Sequence, residues 1–521
     1  MELNSIRALE QATNLGRGEL FRLGTALLFI VAIMLITYSR LDGVPNSHLL
    51  VIAAMIGGYM ALNIGANDVA NNVGPAVGSQ AITLTGAIII AATFEAGGAL
   101  IAGGDVVSTI KKGIIDPAMI TDSDTFIWIM MAALLAAAVW LNAATAVGAP
   151  VSTTHSIVGG VLGAGIAAAG WGIANWSTVG AIAASWVISP LMGGVIAAAF
   201  LYLIKRTIVY RSDKISAAKR IVPILIALMS WAFSTYLIMK GLKKLWKFDI
   251  ISASLMGLAI AVVIYFIVKP LITRSAKKLE NHRDSINSLF IVPLIFAAAL
   301  LSFAHGANDV ANAVGPLAAI NDAIMSGGVT SKASIPLWVM LVGAVGIALG
   351  LALYGPKLIK TVGSEITELD KMRAFCVAMA AAITVIIASQ LGLPVSSTHI
   401  AVGGVFGVGF LREYLEANHE AMLAEIRQHH HGDDEEVIDA FLHKFEEADI
   451  DEKGLLLKVL KEKKGPILSK SERKELRKVY HKELVKRSIL MKIAAAWVIT
   501  VPAAAILSAI LYFTIRGMLL P

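Results

Sequence analysis

The sequence predicts an all-α, polytopic transmembrane helical bundle with inverted internal repeats and helices broken into half-spans or re-entrant hairpins. Three observations carry that expectation. Apolar runs close to the ~20 residues needed to cross a bilayer recur along the chain. Charged residues make up only 16% of the 521 residues, against about 25% in soluble proteins. Two motifs each occur twice, in the same order.

The apolar runs fall at 21–39, 48–76, 81–103, 126–147, 153–170, 178–204, 221–240, 250–270, 289–320, 336–354, 374–390, 397–411 and 489–515. They do not alternate with period two, which excludes a transmembrane β-barrel. The first run is too long for the core of a signal peptide and is read as a retained helix. The runs at 153–170 and 397–411 are short and rich in glycine, as half-helices or hairpins would be. The net charge of +7 fits basic cytoplasmic loops better than nucleic-acid binding. Cys376 is the single cysteine, so no internal disulfide is possible.

Loop charge sets the orientation. The loop at 205–220 and the loop after 270 together carry ten Lys and Arg residues, whereas 241–249 carries three. The first two therefore face the cytoplasm. Counting crossings puts the N-terminus and the polar segment 412–487 in the cytoplasm, and the C-terminus outside. That segment holds six of the eleven histidines, including His429, His430 and His431, and apolar residues at helical spacing. It reads as a small helical insert.

The first motif is Gly-Ala-Asn-Asp-Val-Ala-Asn-Asn-Val-Gly-Pro at 65–75. It recurs at 306–316 with Asn72 replaced by Ala313. Asn67, Asp68, Asn71, Asn308, Asp309 and Asn312 thus lie inside apolar sequence. An ionisable group at that depth costs roughly 2.5–3.5 kcal/mol on insertion scales and marks a functional site. Carboxylate and amide oxygens suit a small hard cation. Asn67 and Asn71 are four residues apart and share a helix face. The flanking Gly65, Gly74, Gly306 and Gly315, with Pro75 and Pro316, favour helix breaks whose carbonyls would add oxygen ligands.

The second motif is Gly-Ala-Pro-Val-Ser-Thr-Thr-His at 148–155, repeated as Gly-Leu-Pro-Val-Ser-Ser-Thr-His at 392–399. Pro150 and Pro394 precede hydroxyl clusters, Ser152, Thr153 and Thr154, and Ser396, Ser397 and Thr398. Proline followed by hydroxyls suits a helix N-terminus, whose free N–H groups and dipole attract an anion. The competing reading is plain N-capping; the duplication favours anion binding. An anion cradle beside carboxylates repels its ligand unless cations bind too, which is the thermodynamic basis of symport.

Two motifs spaced by 75 residues in one half (Pro75 to Pro150) and 78 in the other (Pro316 to Pro394) make an internal duplication. The implied organisation is an extra N-terminal helix (1–47), a first repeat (48–204), linking spans with basic loops (205–288) and a second repeat (289–411 and 488–521) interrupted by the insert (412–487). The second copy starts seven crossings after the first and is therefore inverted, as in secondary transporters with a midplane site. That parity holds if 153–170 and 397–411 each count as one crossing.

Other polar residues carry weaker signals. Glu95 is ionisable at depth and is a candidate for coupling a cation, or for pairing with a neighbouring helix. His155 and His399 follow the hydroxyl clusters and could donate to an anion or simply cap. His305 stands where the first copy has Ile64, so the halves differ chemically. The 429–431 histidines could hold a metal, though adjacent histidines in a solvated insert more often bind nothing specific.

The residues at 65–71, 306–312, 150–155 and 394–399 resemble those of the inorganic phosphate transporter (PiT) family of sodium- or proton-phosphate symporters, across both repeats. The resemblance implies import of inorganic phosphate by symport with a cation through alternating access, and a homodimer in the plasma (inner) membrane. It assigns Asn67, Asp68, Asn308 and Asp309 to ion and phosphate coordination, with sodium at Asp68 and Asp309, and the Ser/Thr clusters to phosphate. Glu95 also matches a family position, but the glutamate that often accompanies it in the second half has no counterpart in the apolar stretch 375–382. The Gly-Ala-Asn-Asp form resembles the sodium-coupled branch; a proton-coupled or sulfate symporter is the alternative. Sodium is the expected co-transported ion, with no other cofactor and no nucleic acid.

Two other classes fit the residues less well. An intramembrane hydrolase would use Ser152, His155 and Asp68, but a triad needs one nucleophile with an oxyanion hole, and duplication of each member favours binding. An anion channel would not line its path with carboxylates. No nucleotide-binding Gly-x-x-x-x-Gly-Lys-Ser/Thr loop is present, which argues against ATP-driven transport by this chain.

Overall fold

The computed structural model describes residues 2–40, 47–120, 122–146, 151–241, 246, 248–277, 279–326, 335–365, 369–428 and 487–519. Among these residues there is no β-strand, only an isolated bridge between Ile115 and Ala174. The helices are α1 (Glu2–Tyr38), α2 (Ser47–Gly78), α3 (Leu84–Ala102), α4 (Gly104–Lys112), α5 (Ser123–Ala146), α6 (Thr153–Ala169) and α7 (Trp176–Ile204). Then follow α8 (Lys214–Gly241), α9 (Ile250–Ala276), α10 (Arg283–Leu289), α11 (Ile291–Ser326), α12 (Leu337–Glu365), α13 (Lys371–Gln390), α14 (Ser397–Gln428) and α15 (Arg487–Leu519). Eleven stretches among the described residues are long and apolar enough to cross a membrane. The chain is an integral, multi-pass, all-α membrane protein.

Helices α2 and α11 form the centre, because they are buried on nearly every face. A helix exposed to lipid needs apolar residues all round; these two can carry Asn and Asp because other helices enclose them. The periphery is the converse. Helices α1, α7, α9 and α15 expose large apolar side chains such as Leu28, Val195, Phe266 and Ile506.

The two halves exchange partners. Helix α2 packs on α12 as α11 packs on α3, and α6 packs on α15 as α14 packs on α7. The crossings are close because glycine leaves room for a carbonyl. A Cβ at Gly65 would lie 2.0 Å from the Ile347 oxygen, and one at Gly306 would lie 2.1 Å from the Glu95 oxygen.

Here the structure corrects the expected helix breaks. Helices α2 and α11 run unbroken through the first motif, with Pro75 and Pro316 inside them. Gly65 and Gly306 serve close helix packing rather than unwinding. The prolines still remove one backbone hydrogen bond each, to the carbonyl four residues earlier, which belongs to Asn71 and Asn312. The interruptions lie instead between α5 and α6 and between α13 and α14, at the second motif.

The short runs are also resolved. The run at 153–170 is one helix, α6, not a hairpin. Its far end returns to the chain that precedes α5, where Asp116 N–H donates to the Ile173 oxygen (2.8 Å) and Asn175 N–H to the Ile114 oxygen (2.9 Å). The run at 397–411 is the start of a longer helix, since α14 has 32 residues. Residues 429–486, with the three adjacent histidines and the helical spacing noted in the insert, lie outside the described residues.

Loop contacts sort the ends of the bundle. Asn281 accepts from Lys214 N–H (2.9 Å) and donates to the Ser212 oxygen (2.7 Å), so the two strongly basic loops meet. Asn287 accepts from Met372 N–H at 3.0 Å, which places the start of α13 by that loop. Lys240, at the far end of α8, pairs instead with Asp105 of α4, and Lys111 of α4 pairs with Asp322 near the end of α11.

Candidate phosphate and cation site

The helix starts explain the site's geometry. Ser152 is the N-cap of α6, its hydroxyl accepting from His155 N–H (3.1 Å), and Ser396 caps α14 in the same way (His399 N–H, 3.3 Å). Both hydroxyls are thus engaged in their own helix turn. The next residues face the centre. Pro150, expected before α6, lies outside the described residues; Pro394 precedes α14 as expected, and its carbonyl accepts from Trp186 Nε1 at 3.3 Å.

Those helix starts meet Asp68 and Asp309. Thr153 Oγ1 lies 2.9 Å from Asp68 Oδ2 and 3.4 Å from Asp309 Oδ2. Thr398 Oγ1 lies 3.3 Å from Asp68 Oδ1, and Ser397 Oγ lies 3.5 Å from Asp309 Oδ2. One hydroxyl therefore touches the carboxylates of both motif copies. Asn71 donates to Thr398 Oγ1 (2.8 Å), while Asn312 donates to Thr153 and Thr154 (3.2 Å each). All these residues are buried.

The outer asparagines anchor the second-motif loops. Asn308 donates to Ser389 Oγ (2.9 Å) and to the Leu393 oxygen (3.2 Å), and accepts from Val395 N–H (3.3 Å). Asn67 shares a 2.9 Å hydrogen bond with Thr145. Thr154 donates to the Val395 oxygen at 2.9 Å, which ties the two loops together. The rings of His155 and His399 meet there with centroids 4.5 Å apart, and His155 stacks on Trp186 at 3.7 Å. Ser152 Oγ also lies 2.6 Å from His155 Nδ1.

Sequence reasoning missed Thr145, Ser389, Trp186 and the Lys111–Asp322 pair. A signal existed for the first two. Each stands five positions before its motif proline, Pro150 or Pro394, so the duplication extends further back than the obvious match. The Lys111–Asp322 pair had none, because only the fold brings these positions together.

Glu95 reaches the site through His305. Nδ1 of His305 is 3.3 Å from Glu95 Oε1, and Nε2 is 3.0 Å from Asp309 Oδ2 and 3.7 Å from Asp68 Oδ2. Asn72 donates to Glu95 Oε1 at 2.7 Å. The carbonyl crossings identify Ile347 of α12 as the structural counterpart of Glu95. It does not lie in the stretch 375–382, which belongs to α13. Ligand atoms of Asp68, His305 and Asp309 lie within 4.8 Å of one another. The site thus combines hard oxygen donors with two helix N-termini in one enclosed volume.

Comparison with known proteins agrees with this arrangement. The profile described as Phosphate transporter family matches residues 64–508. A Helicobacter pylori (strain J99) protein named Putative phosphate permease is 56% identical over 526 residues, covering 98% of each chain. A permease of the same description from Pyrococcus furiosus is 41% identical over 364 residues, covering 70% of this chain and 88% of its own. A solved structure described as "The sodium-dependent phosphate transporter" superposes with a TM-score of 0.74 at 32% identity, covering 91% of this chain and all of that one. That family consists of permeases, not enzymes, and by the extent of these matches the chain described here belongs to the phosphate transporter family.

Proposed function

We propose that this protein imports inorganic phosphate by symport with sodium, through alternating access at the Asp68–Asp309 site. The observation that carries the reading is the Thr153 hydroxyl, within 3.4 Å of both aspartates at the N-terminus of α6. Phosphate binds at the starts of α6 and α14, held by backbone N–H groups and by the hydroxyls of Thr153, Thr154, Ser397 and Thr398, with Ser152 and Ser396 fixing the helix starts. Sodium binds at Asp68 and Asp309, with amide oxygens of Asn67, Asn71, Asn308 and Asn312. The carbonyls of Asn71 and Asn312, released by Pro75 and Pro316, complete the oxygen set.

Coupling follows from charge. Two buried carboxylates and a phosphate repel in a low-dielectric space, so each ligand binds well only when the other is present. Phosphate rather than sulfate fits this site, because the proton that phosphate carries near neutral pH can be donated to a carboxylate. Sodium is favoured as the coupling ion by the likeness to a sodium-dependent transporter of known structure.

The same reading treats 48–204 and 289–411 with 488–521 as inverted repeats, joined by the linking spans 205–288. The N-terminal segment 1–47 and the insert 412–487 are additions to that core. The exchanged helix partners and the meeting of the basic loops at one end support it. The basic end faces the cytoplasm of a plasma membrane, and the functional unit is a homodimer.

The test is uptake of phosphate into proteoliposomes with sodium and proton gradients imposed separately. Uptake should follow the sodium gradient. Accumulation that follows only the proton gradient would reassign the ion, and none under either gradient would refute symport.

A further inference from the structure

The chain between α13 and α14 has few backbone partners of its own. Its N–H groups at 391–393 return to the last turn of α13, Pro394 has none, and Val395 N–H donates to Asn308. Four successive carbonyls then need donors, because a main-chain oxygen inside the bundle cannot turn to water. Each finds one on a different helix. Thr109 of α4 donates to the Gly392 oxygen (2.7 Å) and Asn308 of α11 to the Leu393 oxygen (3.2 Å). Trp186 Nε1 of α7 donates to the Pro394 oxygen (3.3 Å) and Thr154 of α6 to the Val395 oxygen (2.9 Å). Side chains from four helices therefore place the start of α14, which carries Ser397 and Thr398.

Asn308 and Thr154 already belong to the site; Trp186 and Thr109 do not. Trp186 engages both hydroxyl motifs at once. Its N–H holds the loop before α14, while its ring stacks on His155 of α6 with centroids 3.7 Å apart and planes 27° apart. His155 directly follows Thr154. A tryptophan that only filled space in a peripheral helix would need neither contact. The position is also duplicated, since Trp186-Val-Ile-Ser recurs as Trp497-Val-Ile-Thr. Four residues after each tryptophan the backbone meets a hydroxyl-capped helix. A Cβ at Gly403 of α14 would lie 2.2 Å from the Pro190 oxygen, and one at Gly159 of α6 would lie 2.7 Å from the Val501 oxygen. The tryptophan position is thus part of the repeat that builds the site.

We propose that Trp186 and Thr109 are positioning residues for phosphate. By holding the Pro394 and Gly392 carbonyls they set the start of α14 against the start of α6, and with it the spacing of the donors that grip the anion. This rests on the phosphate reading above. The hydrogen bonds lost on substitution end on the loop before α14, whereas Asp68 and Asp309 stand on α2 and α11. Phosphate binding should therefore change while sodium binding does not.

The test is isothermal titration of purified full-length W186F, W186L and T109V with phosphate, and with sodium in the absence of phosphate. Phenylalanine keeps a ring for His155 and removes only the N–H. W186F and T109V should each weaken phosphate binding about 3- to 10-fold. W186L also loses the stacking and should weaken it about 30-fold. Sodium binding should stay within about two-fold of the wild type in all three. W246L, at a tryptophan that is 73% exposed, is the control and should bind both ligands normally. Residues that only stabilised the bundle would lower the melting temperature and leave both affinities unchanged, or weaken both together. Either result overturns the proposal, as does normal phosphate affinity in W186F or T109V. Where W186L does not fold, W186F and T109V decide the matter alone. Wild-type protein that binds no phosphate would strike the phosphate reading itself, and the positioning role with it.

Discussion

Gly306 packs its α-carbon against the main-chain oxygen of Glu95, so closely that a methyl group there would stand 2.1 Å from that oxygen. The same contact joins Gly65 to Ile347 at 2.0 Å. These crossings seat each central helix on its flanking helix, α11 on α3 and α2 on α12, and so help to place Asp309 and Asp68 around Thr153. Neighbouring backbone, unlike a flexible side chain, cannot yield. Overpacking of this kind costs about 1–3 kcal/mol or more. G65A and G306A should each lower the melting temperature in detergent and reduce uptake. G180A is the control, because a Cβ at Gly180 meets nothing within 4 Å. Equal melting temperatures for all three would contradict the crossing.

Asp68 and Asp309 are nearly inaccessible, at 1% exposure each, so their charge is worth most when a ligand is bound. Losing one member of a buried charged contact costs about 2–5 kcal/mol, or about 30-fold or more in affinity. D68N and D309N should each reduce gradient-driven phosphate uptake by at least that factor. Asn keeps the shape, so thermal stability should change little. Normal uptake by D68N/D309N would remove both residues from the mechanism.

Thr153 offers a sharper comparison. Its hydroxyl donates towards Asp68 and accepts from Asn312. Valine keeps the volume but removes both hydrogen bonds, at about 1–3 kcal/mol. T153V should raise half-saturating phosphate by about 5- to 150-fold. T153S retains the hydroxyl and should stay near the wild type. Matching values for T153V and T153S would remove the Thr153 hydroxyl from the phosphate site.

The Lys111–Asp322 pair tests stability rather than transport. Both side chains are almost fully buried, between the short helix α4 and the end of α11. Breaking a buried pair by removing one partner typically costs about 3–5 kcal/mol, whereas replacing both with apolar residues is often neutral. K111M and D322L should each lower the melting temperature, and K111M/D322L should recover most of the loss. Single variants as stable as the wild type would mean that water reaches the pair.

Thr109 and Gly392 show why part of this was out of reach beforehand. The hydroxyl of Thr109 donates to the Gly392 oxygen at 2.7 Å, so α4 braces the loop that opens the second hydroxyl motif. Gly392 adopts φ +67°, a left-handed conformation that suits glycine. Nothing at positions 104–112 announces that contact, because it joins residues 283 apart in the chain.

What the chain alone determined was whatever local chemistry fixes. Long apolar runs impose membrane spans, since a helix must satisfy its own backbone in lipid. Duplicated Asn, Asp, Ser and Thr residues inside those runs marked a candidate site, because polar groups at depth need a reason. The tertiary structure decided the rest. It showed that Gly65 and Gly306 bring helices together instead of breaking them, which depends on what lies across the crossing. It made Ile347 the counterpart of Glu95 and put Glu95 next to His305, relations set by helix packing between distant parts of the chain. Periodicity and motif spacing describe a helix's own faces; which face meets which neighbour depends on side-chain shapes across the whole bundle, and only the packed molecule holds that information.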